Sequence, residues 1–318
     1  MNVTNATPEK IDDALWALNI VGRKSADWMS PQDMRDHILS LDQLPPLAEI
    51  ARRLLELKGD PSCDAQKLTS VIEMDPGIAA QIVRWGSAPI HGFRSTKPVT
   101  VRDAINIVLG FDRVFNLAFG LCSLTPLQAP KDGPLGKRAF WRQTMVGMEL
   151  LNGLVGLMDS VERPPAAQLQ LTYLLHNTGH LLLAHLFAGQ FQYLSDLVDA
   201  NPDMPVLTIE RYALGVDHAK LGCWLMQGWA MPQILQDVCL HHHNPHYRGA
   251  GERLVWLICL ADRLLGQIGI GDARNEALDD LPLFSQLRID QAKALEVLER
   301  LGDKLEDLDQ AVTALVDR

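Results

Sequence analysis

Aromatic side chains are scarce, at 6% of the 318 residues, and cysteine is scarcer, at five. Cys63, Cys122, Cys223, Cys239 and Cys259 are scattered, odd in number and outside any CxxC pair. Several sit among apolar residues, where a free thiol behaves as a small hydrophobe, so a reducing compartment is expected. No apolar run reaches the ~18 residues that cross a bilayer, which excludes membrane insertion as an expectation. The opening MNVTNATPEKIDD lacks both the basic and the apolar region of a secretory signal. A cytoplasmic protein is the reading. Positive charge is also short, with 29 Lys and Arg against 39 Asp and Glu. Non-specific nucleic-acid binding needs cations that displace counterions from phosphates, and no Lys/Arg-rich run supplies them. Nucleic acid is therefore not an expected partner.

Alternating strand patterns are missing too, whereas helix grammar is plentiful. Thr7 precedes Pro8 and a face of Ile11, Leu15 and Leu18, and Ser30 precedes Pro31 in the same way. Ile50, Leu54 and Leu57 recur at helical spacing before Gly59, Asp75-Pro76 restarts a helix, and Thr100 stands three residues before Asp103 ahead of Gly110. An all-α fold follows. The stretch from Ser123 to Lys137 holds three prolines and two glycines and marks a boundary. The expected layout is an N-terminal extension over 1–43, a helical part over 44–125, a linker over 126–137, a second helical part over 138–270 and a C-terminal extension over 271–318. In that extension, after the polar loop GDARNEALDDLP, a final helix near Ile289 spaces Leu298, Leu301, Leu305, Leu308, Val312 and Leu315 by threes and fours. Such a seam either packs on this chain's own body or pairs with a second copy. Gly302 inside it weakens the coiled-coil case.

Histidines concentrate in the C-terminal half. LTYLLHNTGHLLLAHLF buries His176, Asn177 and His180 between leucines, with His176 and His180 four apart on one helical face. His218 follows in GVDHAKLG, then His241, His242 and His243 together, then Asp262 inside an apolar helix. Imidazoles and a carboxylate from separate helices of a bundle are how a core builds a metal site. Each residue also has a plain use. His180 and His185 fit hydrogen-bonded core histidines, the triple His fits a helix C-cap, and Asp262 fits an ion pair with Arg263 or a neighbouring helix.

LPPLAEIARRLLEL, MDPGIAAQIVRWGSAPIHG, VTVRDAINIVLGFDRVFNLAFG, FWRQTMVGMELL, LTYLLHNTGHLLLAHLF, GVDHAKLGCWLMQGWAMP and HHHNP follow one another in order. Over Leu44 to Leu265 this succession resembles the HD superfamily, and most closely its HDOD branch, the output domain of bacterial signalling proteins. The resemblance implies an HD-like helical bundle with an additional N-terminal helical subdomain. In catalytic HD phosphohydrolases a paired His-Asp ligates divalent metal, with further histidines and a late Asp completing the shell. Carried over, the pair falls on His176 and Asn177, the later histidines on His218, His242 and His243, and the late Asp on Asp262. Gln143 stands where an earlier His is expected.

Two departures decide the expectation. The Asn177 amide cannot supply the negative charge that holds two dications close together, and Gln143 replaces a good nitrogen donor. A working dinuclear centre is not expected. The leading reading is a non-catalytic signalling module that binds other signalling proteins. Two readings stand beside it: a phosphohydrolase with a single divalent ion on His176, His218, His242, His243 and Asp262, and a nucleotide sensor using His176, Asn177 and Gln143. Trp85 is a further candidate, as a partner anchor or as core, and the C-terminal seam is the candidate homodimer contact.

Overall fold

Helix starts are set by short polar side chains that satisfy the first free N–H groups. Ser30 accepts from the Asp33 N–H while the Asp33 carboxylate accepts from the Ser30 N–H, and this capping box opens α1 (Pro31–Leu39). Asp75 accepts from the Gly77 and Ile78 N–H groups ahead of α4 (Pro76–Gly86). Thr100 and Asp103 form the capping box anticipated from their spacing. The helix they start does not stay α-helical, passing instead into a π-helical turn over Ala104–Leu109 that ends at Gly110, with φ of 81°. That left-handed value is open to glycine at no steric cost.

The computed structural model describes residues 28–40, 48–58, 60–88, 98–274, 276, 278 and 282–317. The amphipathic stretch expected from Thr7 to Leu18 lies outside them. Among the described residues there is no strand, and no helix is long and apolar enough to cross a membrane. The all-α expectation holds.

The N-terminal helices α2 (Glu49–Lys58), α3 (Ala65–Ile72) and α4 pack around α5 (Phe111–Leu124), which is buried along most of its length. On its other side α5 meets α7 (Ala166–Leu175), and this contact joins the N-terminal part to the histidine-bearing bundle. Between α5 and α6 (Lys137–Leu157) the proline-rich stretch is an ordered loop. Leu127 and Leu135 are buried there, and the Lys137 and Arg138 N–H groups donate to the Pro130 and Lys131 carbonyls. Trp85 is half-buried and packs against the core, one of the two uses left open for it.

The second part wraps around α6, which buries Phe140, Trp141, Met145, Val146, Leu150, Leu151 and Leu154. The elements α7, α8 (Thr178–Leu186), α9 (Ala188–Ala200), α10 (Val206–Leu214), α11 (His218–Gly228), α12 (Gln233–His241) and α13 (Glu252–Gln267) follow in sequence. Two glycines allow close approaches between these helices. A Cβ on Gly179 would stand 2.0 Å from the His218 carbonyl oxygen, and one on Gly147 would stand 1.9 Å from the Tyr173 hydroxyl. Close packing of α8 on α11, and of α6 on α7, therefore requires glycine at both positions.

Two local expectations are corrected. Leu171 to Phe187 is not one helix. It breaks at His176 and Asn177 into α7 and α8, so His176 and His180 do not share a face. The C-terminal seam is likewise two helices, α15 (Gln291–Gly302) and α16 (Leu305–Val316), broken by the Gly302-Asp303-Lys304 turn. A short helix, α14 (Leu283–Leu287), precedes them. Both seam helices lie on α6 of the same chain, burying Leu298, Leu301, Leu308, Val312 and Leu315 and partly burying Leu305. Of the two uses left open for the seam, the structure shows packing on this chain's own body. Arg142 adds a two-point contact to Asp309, at 2.6 and 3.1 Å.

Candidate functional site

The break between α7 and α8 places the site. His176 follows the end of α7, Asn177 precedes α8, and Thr178 donates its hydroxyl to the Leu175 carbonyl at 2.8 Å. With the chain turned there, His176 and Asn177 face the interior from a helix junction. His218 enters from the first turn of α11, whose N-terminus Asp217 caps through the Lys220 N–H. His242 and His243 come from the end of α12, and Asp262 from the middle of α13.

The sequence-derived residues fall into two adjacent groups. In the first, His176 Nε2 lies 3.2 Å from Asp262 Oδ2 while its Nδ1 donates to the Tyr173 carbonyl. The Tyr173 hydroxyl donates to Asp262 Oδ1 at 3.0 Å, and the Gln143 amide donates to the same oxygen at 3.1 Å. Burial, then the Asp262 charge beside it, push the Tyr173 phenol well above its ordinary pKa.

In the second group, His218 Nε2 lies 3.1 Å from His242 Nε2 and 3.0 Å from His243 Nε2. The carboxylate here is Asp272, not Asp262. Asp272 Oδ2 stands 3.0 Å from His218 Nε2 and 3.3 Å from His243 Nε2. Its other oxygen accepts from the Gln143 amide at 2.8 Å and from the Asn177 amide at 3.3 Å. Both residues that depart from the catalytic pattern are thus turned toward one carboxylate from the segment after α13.

Glu210, also outside the sequence-derived set, organises the back of this group. One oxygen accepts from the His218 backbone N–H at 3.1 Å and from its Nδ1 at 2.8 Å, and the other meets His180 Nε2 at 2.7 Å. His180 is therefore the hydrogen-bonded core histidine expected of it. His185 has a similar use, accepting the Gln128 N–H at 3.1 Å, while His241 stacks on Tyr247 with ring centroids 4.5 Å apart.

The charges follow from these contacts. Burial opposes ionisation of Asp272, but His218 and His243 hold its carboxyl well below the usual range. Burial likewise opposes a charge on His218, and Glu210 and Asp272 overcome it and raise its pKa. His242 goes the other way. Burial and the neighbouring His243, His176 and His218 keep it neutral well below its ordinary value.

Sequence reading missed Asp272, Glu210, Glu276 and Tyr173. For Glu210 a signal existed, because a carboxylate inside an apolar helix eight residues before a buried histidine invites pairing. Asp272 sits in a polar, glycine-flanked stretch that reads as a surface loop, and nothing local distinguishes it.

The donor set does not fit two divalent ions, because amides occupy the places of a bridging carboxylate and an imidazole. It fits one. Asp272 Oδ2 is buried with short contacts to two imidazoles yet has no aligned hydrogen-bond partner, and His176 Nε2 and Asp262 Oδ2 share that state 3.2 Å apart. His218, His242, His243 and Asp272 each offer one donor atom, all within 4.8 Å of one another. A divalent ion in such a core supplies Lewis acidity and, where a coordination position is open, an acidified water.

The HDOD domain model matches residues 44–245. The chain belongs to the HDOD family. A solved structure from Marinobacter aquaeolei VT8, provisionally described as a signal transduction protein, is 28% identical with a TM-score of 0.75, covering 98% of this chain and 66% of that one. An HDOD domain protein of Geobacter sulfurreducens shares the fold at 19% identity and a TM-score of 0.71, covering 88% and 96% of the two chains. So does a Shewanella amazonensis SB2B protein provisionally described as a metal-dependent phosphohydrolase, at 16% identity and 0.55, covering 88% and 99%. A Treponema pallidum (strain Nichols) protein of uncharacterized function is 20% identical over 209 residues, 64% of this chain. This HDOD chain spans 39% of that relative's length and 66% of the Marinobacter chain. Asp272 and Glu276 lie outside the HDOD match, and His218, His242 and His243 lie within it.

Proposed function

We propose that this HDOD protein is a non-catalytic signal-transduction module that regulates other signalling proteins through protein–protein contacts. One observation carries the reading: the Gln143 and Asn177 amides both donate to Asp272, so the chain's own carboxylate occupies the pocket where an HD phosphohydrolase would engage metal and substrate. Family membership and the signalling description of the Marinobacter structure support it. A cytoplasmic location belongs to the same reading, supported by five free cysteines, four of them buried. So does a single divalent cation in the histidine core. The test is hydrolysis of cyclic dinucleotides and model phosphodiesters by tag-free protein with Mn, Fe, Co, Ni or Zn added. No turnover above background is expected. Turnover that His176→Ala abolishes would overturn the reading.

A second reading is favoured by a cavity of about 200 Å³ beside the site, lined in part by Arg142, Gln143, Asn177, Asp272 and Arg274. Asn177 Oδ1 is buried there and accepts no hydrogen bond from the protein. A ligand combining an anionic group for the arginines with a donor for Asn177, such as a nucleotide, suits that lining. Titration calorimetry against a nucleotide panel separates the two readings: heat that Asn177→Ala removes establishes a sensor, and a silent panel leaves the protein-contact module alone.

A further inference from the structure

The helix α16 lies across both halves of the fold. It packs on α6 of the histidine-bearing bundle and on α4 of the N-terminal part. Its buried residues are Leu308, Ala311, Val312 and Leu315, which recur at i, i+3, i+4 and i+7. That is the stripe by which an amphipathic helix seats in a groove of another protein. We infer that the groove between α4 and α6 is a docking site for an acidic amphipathic helix of a partner protein, and that α16 is the internal helix that holds it closed. The inference rests on the protein-contact reading above and adds the surface and the chemistry of the partner.

Three features support it. The first is charge. In a chain with 29 basic and 39 acidic residues, four cations gather at this groove and meet α16. Arg142 holds Asp309 at two points, and Arg138 reaches Asp317 at 2.6 Å and the Thr313 hydroxyl at 3.3 Å. Lys131 also meets Asp317 at 2.6 Å, and Arg84 of α4 donates to the Ala314 carbonyl at 2.9 Å. Asp132 offsets part of this charge, 2.7 Å from Arg138. With α16 lifted away, the groove keeps its cations and loses Asp309 and Asp317. It then selects a helix that carries carboxylates beside its apolar stripe.

The second is the way α16 is attached. Its ion pairs lie at the surface, with Arg142 and Asp309 34% and 43% exposed, where salt screens them and each contributes little. Asp290 caps α15 by accepting from the Lys293 N–H, whereas α16 begins after Lys304 with no side-chain cap. The Gly302-Asp303-Lys304 turn between them is exposed, and a Cβ on Gly302 would meet nothing within 4 Å. The turn therefore has room to act as a hinge.

The third is the fit. A gap of about 10 Å³ remains between Gln81, Arg84 and Trp85 of α4 and Ala311, Ala314 and Leu315 of α16. Trp is enriched among the residues that anchor partner contacts. A partner helix with a larger side chain facing Trp85 gains contact there that the two alanines do not make. Arg142 also lines the cavity beside the site, so release of α16 frees a guanidinium at that cavity's wall.

The experiment uses full-length protein and, as probe, a fluorescein-labelled peptide with the sequence of residues 303–317. A tethered helix competes at an effective concentration on the order of millimolar, so the wild type should bind the probe weakly. Asp309→Lys, at the exposed edge of α16, should tighten probe binding about tenfold by loosening the internal helix. Adding Arg142→Asp re-forms the internal pair with its signs exchanged and sets a carboxylate against the probe's own aspartate, so the gain should vanish. Hydrogen exchange guards against misfolding: amides of residues 305–316 should exchange by local opening before those of α11, and sooner still in Asp309→Lys with α11 unchanged. Exchange of α16 only together with α11 makes it a fixed core helix and overturns the inference. Faster exchange in Asp309→Lys with unchanged probe affinity overturns the groove. Dimerisation of Asp309→Lys in sedimentation without probe binding makes a second copy the occupant and overturns the partner helix. Each of these removes this surface alone, whereas the non-catalytic reading falls only to turnover.

Discussion

The Gln143 amide nitrogen lies 2.8 Å from Asp272 Oδ1. That contact joins the second turn of α6 to a residue beyond α13, and it turns a lost imidazole position into a support for an internal carboxylate. The consequence is testable by putting the family's own chemistry back.

Asn177→Asp restores a His-Asp pair but sets a second carboxylate against Asp272, from which the present amide is 3.3 Å away. Like charges at that range cannot both ionise without cost in a buried site. The variant is expected to lose about 2–4 kcal/mol of stability and to gain no phosphodiesterase activity. Urea denaturation at pH 7, beside a hydrolysis assay with added metal, checks both halves. Unchanged stability would mean that Asp272 does not sit against this amide in solution.

Gly179 lies where α8 and α11 approach closely. Its missing Cβ would stand 2.0 Å from the His218 carbonyl oxygen, a backbone atom that no rotamer change can move aside. Gly179→Ala should cost about 3 kcal/mol or more by overpacking and shift His218 with it. Thermal melting measures the first effect, and the His218 imidazole resonances report the second. By contrast, Gly156→Ala, where a Cβ would meet nothing within 4 Å, should leave the melting curve unmoved or slightly raised.

Leu308 on α16 is fully buried against the chain's own body. Leu308→Ala is expected to destabilise by about 2–4 kcal/mol, as a core truncation does. Because the seam faces α6, the substitution should not change the oligomeric state below the unfolding transition. Sedimentation equilibrium together with chemical denaturation tests this. A change of assembly state with stability intact would assign Leu308 to a contact between copies.

Thiol chemistry gives a pH-dependent check on burial. Desolvation pushes Cys122 and Cys259 up to about 12 and Cys223 to about 11, while Cys63 is half-exposed and raised from its ordinary value by a milder burial and by Asp60. The thiolate is the nucleophile, so a raised pKa slows alkylation at neutral pH and lets the rate climb as pH increases. Between pH 7 and 9, iodoacetamide should modify Cys63 first and with a rising rate, and reach the buried four only on unfolding. Peptide mass spectrometry after a timed pulse decides it. Early labelling of Cys259 would contradict the packing of α13.

Much of this molecule was legible in one dimension. The helix start at Ser30-Pro31 and the capping box at Thr100 depend on residues at most three apart, so spacing alone announces them, and apolar periodicity states helix content for the same local reason. The family's succession of motifs brought His176, Asn177, His218, His242, His243 and Gln143 to attention together, and the fold gathers them into one core. Tertiary structure alone decided how they are partnered. Asp262 and Asp272 are both acidic residues in the right half of the chain, and only the path of the turn at Gly269 and Gly271 determines which of them reaches His218. The break at His176-Asn177 and the fate of the leucine seam were hidden for the same reason. Periodicity reports which residues seek burial, but what they are buried against is set by contacts between segments far apart in sequence, here between α6 and two helices about 150 residues further on.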